Sequence, residues 1–511
     1  MNPTTQPIAA DPRSSLAQAD APSATASEKP PGTWAVVGEM SIDMALPISA
    51  GALVAISFMP PPLSLVAWVG LVPFAAAIAR AKGTFELYAG AYLGGLLMDL
   101  HALDFIRTRL SGSGLAGSHT ADWLVNACIW ALIWPATLFF GRRFVGHTRL
   151  PMFLALPIIW ISGEFLRSEM GWIISCSPFP WLQLGITQAP YLHIIQVADL
   201  GGVWAIAFVI AAANGALFEA VVTRRVKPLA IGLVIFSATW AYGEFRLRGT
   251  DTSPGPTVAL VPVSGKTSVN GKLPLEADVL LWSETTRTAR VDESAAESIK
   301  PLEALARSSA STLIVGCVRK HGDLQFNSAA VVDPDRGYVG CYDKCYLVPW
   351  SEFRPWKWTG LGMQSADLEN GNAQPVFDIG QFTCGVSICY DICFSQLYRA
   401  FSPEPDFFAC CSRETADPTG FLPRTLLNMT RLRAVENRRA FVRNVEGGFS
   451  GIVSSTGEYT SAPERPWTAA VSVGPIPIDR RTTFARFGGD WLPISCCLAI
   501  ASALVRSRRR A

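Results

Sequence analysis

The sequence predicts a chain of two parts: a polytopic α-helical membrane bundle of about eight spans, and an outward-facing α/β domain inserted before the last span. Three observations predict it. Long apolar runs recur through residues 42–245 and return once near the C-terminus. Residues 250–488 have instead the mixed composition of a globular domain, with short β-runs separated by helical stretches. At 511 residues the chain is also too long for one ordinary core.

Residues 1–40 are rich in Pro, Ala, Ser and Thr and read as a disordered tail, not a cleavable signal peptide. Runs able to cross about 30 Å of hydrocarbon then fall at 42–59, 63–79, 86–104, 121–140, 150–166, 195–219 and 228–245, with an eighth at 490–505. This gives a seven-helix transmembrane domain over 41–246, an α/β domain over 250–488, and a last helix with a basic tail over 489–511. So many runs in so short a stretch argue against the buried helices of a large soluble protein.

Charge placement sets the orientation. Basic clusters follow every second helix: Arg80 and Lys82, then Arg142 and Arg143, then Arg224, Arg225 and Lys227; the chain ends in "RSRRR", Arg506 to Arg510. The positive-inside rule puts these and both termini in the cytoplasm, and the 60–62 turn, the 167–194 loop and the α/β domain outside. Arg107 and Arg109, in an outer loop, run against this. The aromatic stretch "GEFLRSEMGWIISCSPFPWLQLGITQ" (163–188) is expected to dip into the interface. Within it Glu164 and Arg167, three apart at a helix end, are expected to pair.

Lys+Arg 43 against Asp+Glu 41 leaves a net charge of +2, which makes no electrostatic case for a nucleic-acid partner. Twelve cysteines are too few for a disulfide scaffold, and no CxxC pair has zinc-finger spacing. Only five histidines occur and none lies near Cys341, Cys345, Cys384, Cys410 or Cys411, which disfavours a metal site. No cofactor is expected.

In the α/β domain, strands are expected at 257–263, 277–284, 311–318, 327–334, 382–389, 406–412, 438–445 and 449–455, and helices at 291–309, 393–401 and 422–437. The last helix has apolar spacing with an Arg-rich outer face. Three strand ends carry chemistry: Glu284 closes "ADVLLWSE", Lys344 follows a strand in "YDKCYLVPW", and Cys389 stands at a strand-to-helix turn in "GVSICYD". Strand C-termini sharing one edge commonly unite distant residues. A thiol, with pKa near 8.5, needs help to ionise. A carboxylate can take its proton, and an ammonium can hold a tetrahedral oxyanion. Singly, each has a plain reading: a surface carboxylate, a solvated lysine, a core cysteine.

Together, Glu284, Lys344 and Cys389 resemble the Glu–Lys–Cys triad of the nitrilase (carbon–nitrogen hydrolase) superfamily. "FNSAAVVDPDRGYVGCYDKCYLVPWSEFRP" and "GVSICYD" are similar to one membrane branch, the apolipoprotein N-acyltransferases. So are "GEFLRS…FPWLQLG", "ADLGGVWAIAFVIAAANGAL" (198–217), "RLRAVENRRAFVRNVEGG" (431–448) and "FARFGGDW" (484–491). The resemblance covers about residues 45 to 505. It implies a nitrilase-like α-β-β-α sandwich, with Glu284 as general base, Lys344 as oxyanion holder and Cys389 as acyl-carrying nucleophile. Glu352 matches a supporting glutamate, and Asn327 and Tyr390 match motif positions. The implied reaction moves an acyl chain from a phospholipid donor to Cys389, then to the amine of a lipoprotein acceptor. The implied location is the bacterial inner membrane, multi-pass, with the α/β domain on the periplasmic side.

Departures accompany the likeness. Asp391 stands where the family has Glu, Cys345 and Tyr346 replace a His-rich stretch, and "SRETADPTGF" (412–421) replaces an aromatic loop. The segment 264–278 is shorter than the family's arm. A runner-up reading is therefore a nitrilase-like conjugal-transfer protein of the TraB type, accessory to plasmid transfer; a third is a scaffold with a dead triad. For Cys389, a disulfide with Cys393 has poor geometry, while Cys341, Cys345, Cys384, Cys410 and Cys411 are candidates for structural pairs.

Overall fold

In the computed structural model, residues 33–80, 82–109, 116–175, 177–261, 276–284, 290–292, 296–349, 351–353, 368–414, 419–462 and 471–508 are described. Most of the expected N-terminal tail and most of the shortened 264–278 arm lie outside these residues, as do the side chains of Arg107 and Arg109 and the end of the basic tail.

The first half is helical throughout. Helices span Thr33–Ser57, Val72–Ala79, Phe85–Ala102, Ala116–Trp130, Ile133–Thr148, Met152–Ser175, Ala198–Thr223 and Val226–Arg248; a further one, Trp491–Arg508, closes the chain. Among the described residues three helical runs are long and apolar enough to cross a membrane: Trp123–Thr148, Ala198–Thr223 and Val226–Arg248. The remaining expected spans are shorter, broken or more charged. The run 63–79 divides into a 3-10 turn and two short helices around Leu71. Met152–Ser175 carries Glu164, Arg167 and Glu169 in its second half. Helices Thr33–Ser57 and Phe85–Ala102 pack backbone to backbone. A Cβ on Gly90 would lie 2.5 Å from the Met44 carbonyl oxygen, and one on Gly94 2.4 Å from that of Pro47, so only glycine allows this approach.

Glu164 and Arg167 do not pair as expected. Arg167 donates to Asp99 (2.7 Å) and to the Trp181 carbonyl (2.7 Å), whereas Glu164 accepts from the Trp160 indole (2.9 Å) and the Leu184 amide (2.7 Å). The loop folds back, and both side chains brace it from inside.

The second half holds two sheets. Strands β1 (Ser253–Leu260), β2 (Val279–Leu281), β3 (Arg290–Asp292), β4 (Thr312–His321), β5 (Leu324–Asp333) and β6 (Gly337–Asp343) build the first, joined by β13 (Val471–Ile478). Its order is β13-β1-β2-β4-β5-β6, with β3 also on β4. Strands β7 (Val376–Ile379), β8 (Phe382–Ile388), β9 (Phe407–Arg413), β10 (Ala440–Glu446), β11 (Gly451–Val453) and β12 (Tyr459–Ser461) form the second, in order β12-β11-β10-β9-β8-β7. The helix expected over 291–309 begins only at Lys300. β2 covers just Thr312–Ile314 of the ten-residue β4, and β3 pairs the open stretch Val318–Lys320.

The sheets stack face to face. Val258, Val279 and Leu281 share one buried core with Val386, Ile388 and Val442. The Asn444 amide on β10 crosses between them, donating to the carbonyls of Val261 (2.9 Å) and Leu281 (2.6 Å). Helix Lys300–Ser309 covers the outside of the first sheet; helices Ser395–Ala400 and Phe421–Asn437 cover the second. The result is an α-β-β-α sandwich.

Phe421–Asn437 has no Arg-rich solvent face. It lies between the second sheet and the helical half, and Arg433 is buried against Glu436 (3.1 Å). Glu436 also accepts the Val203 amide (3.0 Å), an amide freed where Gly201 and Gly202 interrupt helix Ala198–Thr223. Just beyond the helix, Arg438 donates to Asp199 (2.6 Å) and Gln196 (2.6 Å). The two halves are thus joined by buried polar bonds.

Candidate active site

The two sheets bring the expected residues together from both sides, not along one shared edge. Glu284 follows β2, Asn327 lies on β5 and Lys344 directly follows β6, all from the first sheet; Cys389 follows β8 of the second. The Lys344 backbone is pinned twice, its N–H on the Asn327 carbonyl and its carbonyl on the Gly371 N–H, each at 2.8 Å.

The Lys344 ammonium is 1 % exposed and sits 3.0 Å from both Glu284 and Glu352. The Asn327 amide donates to the same two carboxylates, at 2.8 Å and 2.7 Å. Glu352 is fixed in turn by the Val348 amide at 2.7 Å. Burial works against a charged lysine, yet the carboxylates of Glu284 and Glu352 outweigh it and hold its pKa above the ordinary value. Lys344 is therefore a fixed cation, not a base.

On the opposite wall, Cys389 begins a 3-10 turn, Cys389–Cys393, and is 7 % exposed. Its φ of 48° lies in the left-handed region, where a side chain with a Cβ is strained by roughly 1–2 kcal/mol. Asp391 holds that turn. It accepts the Ile388 amide (3.0 Å), the Tyr342 hydroxyl (2.7 Å) and the Tyr346 amide (2.9 Å), locking the Cys389 turn to the strand that delivers Lys344. Burial pushes the Asp391 carboxyl up to about 7, even with Lys344 and these donors pulling it down. Tyr390 is buried with its ring edge-on to Phe394 at 5.0 Å, a packing role.

Sequence reasoning missed the link between the two walls. Arg413, at the end of β9, donates its N–H to Glu284 (3.0 Å), and its carbonyl lies 3.9 Å from the Cys389 sulfur. The next residue, Glu414, is buried and accepts from Arg443 (2.7 Å) and Ser412 (2.9 Å). Burial lifts its pKa to about 7, with Arg443 opposing. The signal lay inside "SRETADPTGF", a charged residue following an apolar strand. No described cysteine forms a disulfide, so the structural pairs considered for Cys341, Cys345, Cys384, Cys410 and Cys411 are not made. Burial instead drives the thiols of Cys384, Cys393 and Cys411 well above their usual pKa.

Facing sheets with helices outside define the class. The Carbon-nitrogen hydrolase family matches residues 268–486, and the Apolipoprotein N-acyltransferase N-terminal domain matches residues 50–216. An apolipoprotein N-acyltransferase of Geobacter metallireducens is 24% identical across 92% of this chain and 96% of its own length. Another, of Vibrio vulnificus, is 25% identical across 91% and 97%. An amidase of Nesterenkonia sp., of known structure, aligns at 18% identity over 48% of this chain and 99% of its own, with a TM-score of 0.33. The chain belongs to the apolipoprotein N-acyltransferase family, within the carbon–nitrogen hydrolase superfamily.

Proposed function

We propose that this chain is a bacterial membrane N-acyltransferase that moves a fatty acyl chain from a phospholipid, through a thioester on Cys389, to the N-terminal amine of a lipoprotein. One observation carries the reading. A buried ammonium, Lys344, lies against Glu284, and the Arg413 peptide ties Glu284 to Cys389 in a chain whose other half is apolar helices.

In the first half-reaction Glu284 takes the Cys389 proton as the sulfur attacks an ester carbonyl of the phospholipid. Lys344 holds the oxyanion that forms. Collapse breaks the C–O ester bond, and Glu284 returns the proton to the departing alkoxide, leaving a thioester and a lysophospholipid. In the second, the lipoprotein amine attacks the thioester carbonyl and Glu284 takes the ammonium proton. The C–S bond breaks, the amide is released, and the proton returns to the thiolate. Glu352 and Asn327 keep Lys344 and Glu284 in register, and Asp391 keeps the elbow of Cys389 in place.

The membrane arrangement supports substrates of this kind. Eight spans are the reading we adopt, counting the broken and charged runs with the three long helices. The glycine contacts between Thr33–Ser57 and Phe85–Ala102 are of the kind that packs helices in lipid. The basic clusters support a sandwich on the periplasmic side of the inner membrane, beside the outer-leaflet phospholipids and lipoprotein N-termini. Nothing in the geometry favours the transfer-associated reading over this one.

The test is transfer itself. Purified protein is incubated with phospholipid and a synthetic peptide beginning with diacylglyceryl-cysteine. Peptide gaining one amide-linked acyl chain, and none with a Cys389→Ala variant, is the expected result. Release of free fatty acid without acylated peptide would make the chain a hydrolase and refute the proposal.

A further inference from the structure

The end of the helical half away from Cys389 carries a groove that this chemistry does not use. It opens between helix Ile133–Thr148, the beginning of Met152–Ser175 and the closing helix Trp491–Arg508, and encloses about 500 Å³. Its walls are mainly apolar, with Phe144, Leu150, Ile158, Ala499 and Ala503; Thr148, Ser502, His147 and Arg506 complete them. Among the described residues no Asp or Glu lines it.

Cationic side chains gather beside it. Arg143 and Arg149 are exposed at the same end of helix Ile133–Thr148. Among the described residues Arg143, Arg149 and Arg506 have no carboxylate partner; Arg143 lies over the Phe139 ring at 4.5 Å. Glu219, which reaches the same helix start, is occupied by the Met152 amide at 2.7 Å. Three unpaired guanidinium groups beside an apolar groove are complementary to a molecule with an anionic head and a hydrocarbon tail.

Position says which leaflet supplies it. The closing helix leaves the sandwich at Trp491, next to the Arg399–Asp490 pair, and reaches Arg506 fifteen residues later. At 1.5 Å per residue that is about 22 Å, most of a hydrocarbon core. The groove therefore lies at the face opposite the sandwich.

We propose that this groove binds one anionic phospholipid of the cytoplasmic leaflet, with its phosphate on Arg149 and Arg506 and an acyl chain along Phe144, Leu150 and Ile158. The proposal rests on the membrane-spanning part of the functional reading, not on the acyl transfer. A guanidinium near the headgroup favours an anionic over a zwitterionic lipid by about fivefold each.

The test uses native mass spectrometry of the full chain in detergent with equal amounts of phosphatidylglycerol and phosphatidylethanolamine. One retained phosphatidylglycerol, preferred by about fivefold or more, is the expected result. Arg149→Gln with Arg506→Gln, both exposed and so harmless to folding, should abolish the preference. Ala503→Trp, which fills the groove, should lower retention of either lipid. Equal retention of both lipids by the unmodified chain, or a glutamine variant with an unchanged preference, overturns the proposal. If Ala503→Trp fails to fold, the glutamine pair alone decides. Acylation of Cys389 is read in the same spectra; its absence beside an intact headgroup preference would refute acyl transfer and leave the lipid site standing.

Discussion

The sandwich and the far end of the helical half treat positive charge in opposite ways. In and under the sandwich each wholly buried cation has a carboxylate: Lys344 between Glu284 and Glu352, Arg443 on Glu414, Arg438 on Asp199, Arg433 on Glu436. At the far end Arg143, Arg149 and Arg506 are exposed and have no such partner among the described residues. The difference is one of solvent. A buried charge without a partner costs several kcal/mol, whereas one at a membrane surface is hydrated and can attract lipid. Paired charge is held inside; unpaired charge is left at the surface.

The largest effect should come from breaking the pairing at the centre. Lys344→Met removes the proposed oxyanion holder and leaves two carboxylates facing each other. Peptide acylation should fall by at least about 10²–10³-fold, read as initial rates. A loss of less than about tenfold would mean that the paired lysine is structural only.

Next comes the junction between the halves. Asp199→Ala leaves Arg438, which is 0 % exposed, without its carboxylate. It should destabilise the protein by about 3–5 kcal/mol, read as a drop in the detergent thermal midpoint. Arg438→Met added to it should recover part of the loss, because a buried apolar pair needs no counter-charge.

These two sites also show what could be read from the sequence. Glu284 and Cys389 were legible because each ends an apolar strand with a residue of another chemical type, a local pattern; Lys344 was legible from its place in a loop after a strand. The pairing of β1 with β13 was not, since it joins Ser253–Leu260 to Val471–Ile478 and both strands contain prolines, which suit an edge but blur a strand pattern. Arg433 read as part of an outer face because arginine is normally exposed. Only the second layer of helices, packed against Phe421–Asn437, shows that it is buried. Glu414 was missed for the same reason, its partner Arg443 lying on the neighbouring strand.

A smaller effect follows pH. Asp391 has a folded pKa raised to about 7 from an ordinary value of 3.8. Its contribution to stability is full below about pH 4 and is lost as pH rises through about 7. Asp391→Asn should flatten the fall in thermal midpoint between those values; Glu414, also raised to about 7, leaves a residual slope of the same sign. An unchanged profile in the variant would remove Asp391 as its cause.

The smallest effect calibrates the comparison. Lys300 and Glu297 pair on the sandwich surface, both well exposed. Lys300→Ala should shift stability by less than about 0.5 kcal/mol, although its contact is as short as those at the centre. A larger shift would show that pairing alone, without burial, decides the energetics.

The central claim is that Cys389 carries the acyl chain. Protein purified from membranes with phospholipid would be digested, and the peptide containing Cys389 weighed before and after hydroxylamine. A fatty-acyl mass on Cys389 that hydroxylamine removes and that Lys344→Met greatly reduces is the expected result. A folded protein whose Cys389 is never acylated, under conditions that label another member of the family, would contradict it.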